Sequence, residues 1–306
     1  MSTASASRAL GRPELVSETV LARVSAAATR MGYIANAAAR ALSTRKSGVI
    51  GAVVDDASDP VSLQMLEAAE RTFAAQGIGV LLRVADTAAS AAMCARALAA
   101  RGVDGLLLVG NVAVPETVSA RSLPYVICGQ RPGSGAVEPG HSLEYRGLTL
   151  ACAYLQQLGH ARIGVIRRRS AEGAGQLAPT LEDVGTIEQR VETLYDTDAV
   201  RSAARLLIRG DVTAIVAACD LAAAAALREC RALELVVPEQ VSVVGWGDSE
   251  LARCLDPALT SVRLPARAAA QAAAEYLIAA MAGDVFAWPE LPLKLVIRDS
   301  TGPVPA

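Results

Sequence analysis

The sequence predicts an α/β protein: two doubly wound parallel-sheet lobes preceded by a small all-α head. Three observations carry this. From Gly48 onward, short runs rich in Val and Ile alternate with longer stretches of helical spacing, the mark of repeated β-α-β units on a parallel sheet. These runs outnumber the strands of one small open sheet, so two lobes are expected. The first 47 residues carry three short helical patterns and no strand-like run.

In the head, STASASRAL, SETVLARVSAAATRMG and ANAAARAL have helical spacing, and Pro13-Glu14 separates the first two. Ser17 is placed to cap the second helix and Gly32 to end it. The third is too short and too poor in large apolar residues to stand alone in water, so it is expected to fold against a partner. Residues 43–47 then lead as a linker into the first strand. Strands are expected at GVIGAVV (48–54), IGVLLRV (78–84), DGLLLVG (104–110), PYVIC (124–128), RIGVI (162–166), VETLY (191–195), AIVAA (214–218) and VSVVGW (241–246). Their near-continuous apolar character suits strands buried on both faces. Helical stretches such as LQMLEAAERTFAAQG and LAAAAALRECRAL supply the right-handed crossovers.

Composition narrows the function. The chain has 306 residues, 52% hydrophobic and 20% charged, which fits about two domains with real cores and excludes a disordered or fibrous chain. No run approaches the roughly 20 apolar residues that cross a bilayer. The N-terminus lacks the apolar stretch of a signal peptide, so a cytoplasmic protein is expected. Six scattered cysteines (94, 128, 152, 219, 230 and 254) show no CxxC spacing and read as small buried hydrophobes in a reducing compartment. The net charge of −2 hides an asymmetry: residues 1–47 hold seven cations against Glu14 and Glu18, or +5, leaving −7 for the rest. A basic head on an acidic body points to a polyanion partner for the head.

Enzyme signatures are missing. The two histidines, His141 and His160, sit in no metal-binding pattern, and neither a GxSxG elbow nor a GxxxxGK[ST] loop occurs. GAGQLA (173–178) matches a dinucleotide fingerprint in letters, but it follows the charged run RRRSAE instead of a strand and reads as a flexible loop. His160, just ahead of a strand, reads as a structural residue. No catalytic residue, metal or cofactor is expected.

Five segments, in order, resemble the lactose/galactose-repressor family of transcription regulators: residues 7–47 of the head, RGVDGLLLVG, YLQQLGHARIGVI, LRECRALELVVPEQVSVVGWGDSELARCLDPALTSVR and LVIRDSTGP. The resemblance covers nearly the whole chain. It implies a helix-turn-helix head and hinge helix over 1–47 and a periplasmic-binding-protein-like, two-lobed effector and dimerisation domain over 48–306. The first lobe would take residues 48–158 and 265–283, the second 160–264 and 285–302, with crossings near Gly159, near Asp248–Thr260 and near Asp284. The implied partners are operator DNA, a small-molecule effector and a second copy of the chain. STASASRAL matches the recognition helix, so Thr3, Ala4 and Arg8 would meet base edges and Ser2, Ser5 and Ser7 phosphates. NAAARAL matches the hinge helix, which puts Asn36, Ala39 and Arg40 at the DNA and Leu42 in the minor groove as a wedge.

The head departs from the family by starting at the turn. Roughly 15 residues, about one helix and its turn, are expected upstream. Met1 stands at a valine position, which reads as an internal codon taken as the start, with a true truncation as the alternative. Without the first helix, Ala6, Leu10 and Val24 are expected to lose their apolar partner. The cleft departs too: Gly247 stands where the family has a sugar-gripping aspartate, Val61 replaces a frequent aromatic, Cys219-Asp220 replaces Asn-Asp, and no counterpart of the ligand-binding arginine is clear. The expected effector residues are Asp59, Arg131, Tyr195, Asp220, Trp246 and Asp248, a set better suited to a cationic or aromatic ligand than to a simple hexose. The runner-up reading is a two-lobed small-molecule-binding protein without DNA binding.

Overall fold

A computed structural model describes residues 2, 5–6, 9, 15–32, 46–55, 57, 59–85, 88–110, 118, 123–130, 143–168, 186–191 and 196–305. In the head, α1 (Glu18–Arg30) has an acid in its first turn and Arg30 in its last, complementing the helix dipole. Ser17 holds the N-cap position, but its hydroxyl turns to Thr19 Oγ1, 3.0 Å away, instead of capping the backbone. Val24 and Ala9 are each only 4% exposed. The expected loss of cover for Val24 therefore does not occur.

The first sheet runs β2-β1-β3-β4, all parallel: β1 (Val49–Val54), β2 (Gly79–Val84), β3 (Gly105–Val109) and β4 (Tyr125–Ile127). The helix α2 (Pro60–Ala75) buries Met65, Ala69 and Phe73 at helical spacing on one face of this sheet. The helix α3 (Ala88–Ala100) covers the other with Ala91, Ala95 and Leu98.

The second sheet runs β10-β9-β8-β7-β5-β6. Its parallel strands are β5 (Ile163–Arg168), β6 (Thr186–Val191), β7 (Ala214–Ala217), β8 (Ser242–Trp246) and β9 (Thr260–Arg263). A short edge strand, β10 (Lys294–Val296), pairs antiparallel with β9. The helices α5 (Thr197–Arg209) and α6 (Asp220–Ala232) cover one face, and α4 (Leu143–Gln157) covers the other through Leu148, Ala151, Cys152 and Leu155. A single-turn helix, α7 (Glu250–Cys254), follows β8.

Three passages link the sheets. Leu143 belongs to the first core while Leu148 belongs to the second, so the first passage comes at the start of α4, upstream of Gly159. The second follows β9, beyond the 248–260 stretch, because α8 (Ala266–Ala282) packs beside α2 on the first sheet. The third runs from Gly283, in left-handed conformation, past Leu291 to β10. Of the strand expected at 191–195 only Val191 is described, as the last residue of β6 at 186–191, and β9 and β10 are additional to the strands expected.

Candidate functional site

The carboxyl end of β1 in one lobe faces those of β7 and β8 in the other, the place where doubly wound sheets bind ligands. On the first lobe Asp59 caps α2. Its Oδ1 accepts from the Val61 amide at 3.1 Å, and its Oδ2 from the Ser62 amide at 3.0 Å and the Ser62 hydroxyl at 2.7 Å. With Pro60 at the first helical position, the cap fixes where Val61 points. Asp55, directly after β1, is buried, and its carboxylate fills the space beside Gly110 at the end of β3. An Oδ1 lies 1.8 Å from where a Cβ on Gly110 would sit, and Gly110 has φ +94°, so only glycine serves there.

On the second lobe Cys219 caps α6, its Sγ accepting from the Ala222 amide at 3.3 Å. Burial pushes its thiol up to about 12, and the carboxylates of Asp59 and Asp220 push in the same direction. Asp220 is buried and takes three hydrogen bonds: from the Ser249 amide (2.6 Å), the Ser249 hydroxyl (2.7 Å) and the Ser261 hydroxyl (2.6 Å). Burial raises its pKa above 3.8, and the hydrogen bonds from Ser261 and Ser249 oppose that rise. Gly247, φ +115°, lies beside Asp220 and against Val61 of the opposite lobe.

Of the six effector residues read from the sequence, Asp59 and Asp220 meet here. Trp246 packs its ring onto Gly147 of α4 at the mouth of the second sheet. Asp248 is placed otherwise than expected. Its carboxylate, 1% exposed, is held by Arg263 and Arg298 and is not open to a ligand, because β9 and the final segment bring both guanidiniums to it. Arg131 and Tyr195 lie outside the described residues. Of the DNA-contact set, Thr3, Ala4, Ser7, Arg8, Asn36, Ala39, Arg40 and Leu42 also lie outside them. Ser2 and Ser5 are described: the Ser2 hydroxyl accepts from the Ser5 amide at 3.2 Å, a cap for a helical turn. Sequence reasoning missed Asp55, Ser249 and Ser261. An aspartate immediately after a strand, opposite a glycine ending the next, was the available signal for the first.

A family model described as a periplasmic binding protein-like domain matches residues 152–301. The chain is 37% identical to the HTH-type transcriptional regulator MalR of Streptomyces coelicolor over 175 residues, 52% of this chain and 50% of that one, so it spans about half the length of this relative. To the HTH-type transcriptional regulator GntR of Pseudomonas aeruginosa it is 28% identical over 98% of this chain and 92% of the other. The fold matches a lac repressor structure, bound to ONPG in its repressed state, with TM-score 0.76 and 21% identity over 98% of this chain and 96% of that one. Among the described residues no helix is long and apolar enough to cross a membrane. The ordered motifs, the two parallel sheets and these likenesses agree: along nearly its whole length the chain is similar to transcriptional regulators of the lactose/galactose-repressor family.

Proposed function

We propose that the chain is a DNA-binding transcriptional regulator of repressor type, whose operator affinity is set by a small molecule in the cleft between the lobes. It is a binding protein of the cytoplasm and not an enzyme. Residues 1–47 form the head and hinge, with base contacts from Thr3, Ala4 and Arg8, phosphate contacts from Ser2, Ser5 and Ser7, and hinge contacts from Asn36, Ala39, Arg40 and Leu42. Residues 48–306 bind the effector, through Asp59, Asp220 and Trp246 with Arg131 and Tyr195, and pair two copies of the chain. A ligand that prefers the closed cleft turns one lobe against the other, respaces the two hinge helices and so shifts DNA affinity. The observation that carries this reading is the convergence of the ends of β1, β7 and β8 across the cleft, in a chain that aligns over 98% of its length with a named transcriptional regulator. Among the described residues the carboxylates of Asp59, Asp220 and Asp248 are already engaged by the chain itself, and with the glycine at 247 this makes a simple hexose or pentose a poor effector.

Fluorescence anisotropy with a duplex from upstream of the chain's own gene tests the proposal. Binding tighter than to a scrambled duplex, by at least about tenfold, with affinity falling as salt rises, is expected. Equal affinity for the two duplexes overturns it.

A further inference from the structure

We propose that Val61 and Gly247 form a steric gate across the cleft, in which a valine methyl of the first lobe seats in the space left by the missing side chain of the second and so sets how far the lobes close. The proposal rests on the reading of this cleft as the effector site. Val61 Cγ2 lies 2.9 Å from where a Cβ on Gly247 would stand, closer than real side chains tolerate. Neither side has room to retreat. Val61 is the second residue of α2, tied by its amide to Asp59, preceded by Pro60, and β-branched, so its rotamer is stiff. Gly247 donates its amide to Val262 O at 2.9 Å. The next residue, Asp248, donates its amide to Ser261 Oγ at 3.0 Å and has its carboxylate locked by Arg263 and Arg298. Any side chain at 247 therefore pushes on a fixed methyl, and the compliant coordinate is the separation of the lobes.

Charge works in the same direction. Asp220 Oδ2 is 3.6 Å from the same point and is immobilised by Ser249. An acidic side chain at 247 would crowd both a methyl and a carboxylate. This corner of the cleft accepts a ligand that presents carbon to Val61, not a hydroxyl seeking an acceptor.

Small-angle X-ray scattering of the full chain without ligand reads the gate. Gly247→Ala is expected to enlarge the radius of gyration and maximum dimension, and Val61→Ala to leave them at the wild-type value or below. The double variant Val61→Ala/Gly247→Ala is expected to return to the wild-type curve. Alanine at φ +115° is strained whatever surrounds it, so melting temperature falls in both variants that carry it; only the lobe separation distinguishes the gate from that strain. Val61→Phe lengthens the same contact from a helix with no backbone strain and is expected to open the lobes as Gly247→Ala does. Wild-type dimensions in Val61→Phe, or a double variant as open as Gly247→Ala, overturn the proposal. The measurement involves neither DNA nor effector, so a failure of the regulator reading leaves a distinct result.

Discussion

Two buried polar residues show how single side chains set the molecule's tolerance. Asp248 faces Arg263 and Arg298, and Arg298 also donates to Leu259 O at 2.6 Å. Removing the acid strands a mostly buried guanidinium, so Asp248→Asn is expected to cost about 3–5 kcal/mol by denaturant unfolding. Arg71→Ala, at the exposed pair with Glu67, is expected to cost under about 1 kcal/mol. A loss at Asp248 no larger than at Arg71 would refute the assignment. His160 sits with Nδ1 2.9 Å from Thr213 Oγ1 and Nε2 3.0 Å from Gly302 O. Burial pushes its pKa below 6.5, against the opposing pull of the Gly302 carbonyl. With the folded value depressed, the unfolded chain takes the proton first. This stabilisation is complete above pH 6.5 and is lost as pH falls through the lower folded value. Thermal melts between about pH 7.5 and 5 are expected to show that loss, and His160→Gln a flatter profile; parallel profiles would count against it. At this scale the sequence drew attention to Asp59, Asp220 and Gly247, which the fold brings near one another at the strand ends. The direction of the Asp248 carboxylate was hidden, because its partners stand 15 and 50 residues further along the chain.

Elements were legible where both faces are buried. The strands β1 and β3 read as unbroken apolar runs and lie where those runs lie. The strand β9 escaped notice because Thr260 and Ser261 are wholly buried polar residues. Their hydrogen bonds come from far away, with the Thr260 amide on Ser300 Oγ at 2.8 Å and Ser261 Oγ on Asp220. The strand β6 is the sheet's outer strand, and its sequence TIEQRV offers no apolar run to mark it. The helix α8 shows what an alanine-rich face does: buried Ala269, Ala270 and Ala273 let its backbone approach α2 and the first sheet closely. Ala273→Leu overfills that seam and is expected to cost about 1–3 kcal/mol by denaturant unfolding, with Ala268→Leu, on the exposed side, within about 0.5 kcal/mol. Equal effects at the two positions would show that the seam has slack.

At the scale of the whole molecule, β2 is the outer strand of the first sheet among the described residues and exposes Leu82 and Val84, while Leu63 on α2 and Met93 on α3 are exposed on the helices that cover the sheet's two faces. An unpaired edge beside such side chains suits a symmetric partner of the same chain. The proposed dimer is expected to run as a dimer in light scattering and to become a monomer in the double variant Leu82→Glu/Met93→Glu. An unchanged mass in that variant would move the interface elsewhere.

The interleaved path of the chain has a consequence for its birth. The strands of the first lobe are complete once residue 127 has emerged, yet Met65, Phe73 and Val54 are covered by α8, whose last residue is Ala282. At synthesis rates of about 5–20 residues per second, roughly 150 further residues take on the order of ten to thirty seconds. Throughout that interval a half-built apolar face stands open to water and to other nascent chains. The second lobe, by contrast, has five of its six strands in hand before α8 appears and lacks only β10 at its edge. The lobe that begins first is therefore the one that finishes late, and the ribosome-bound protein should lean on chaperones at the surface that α8 later closes.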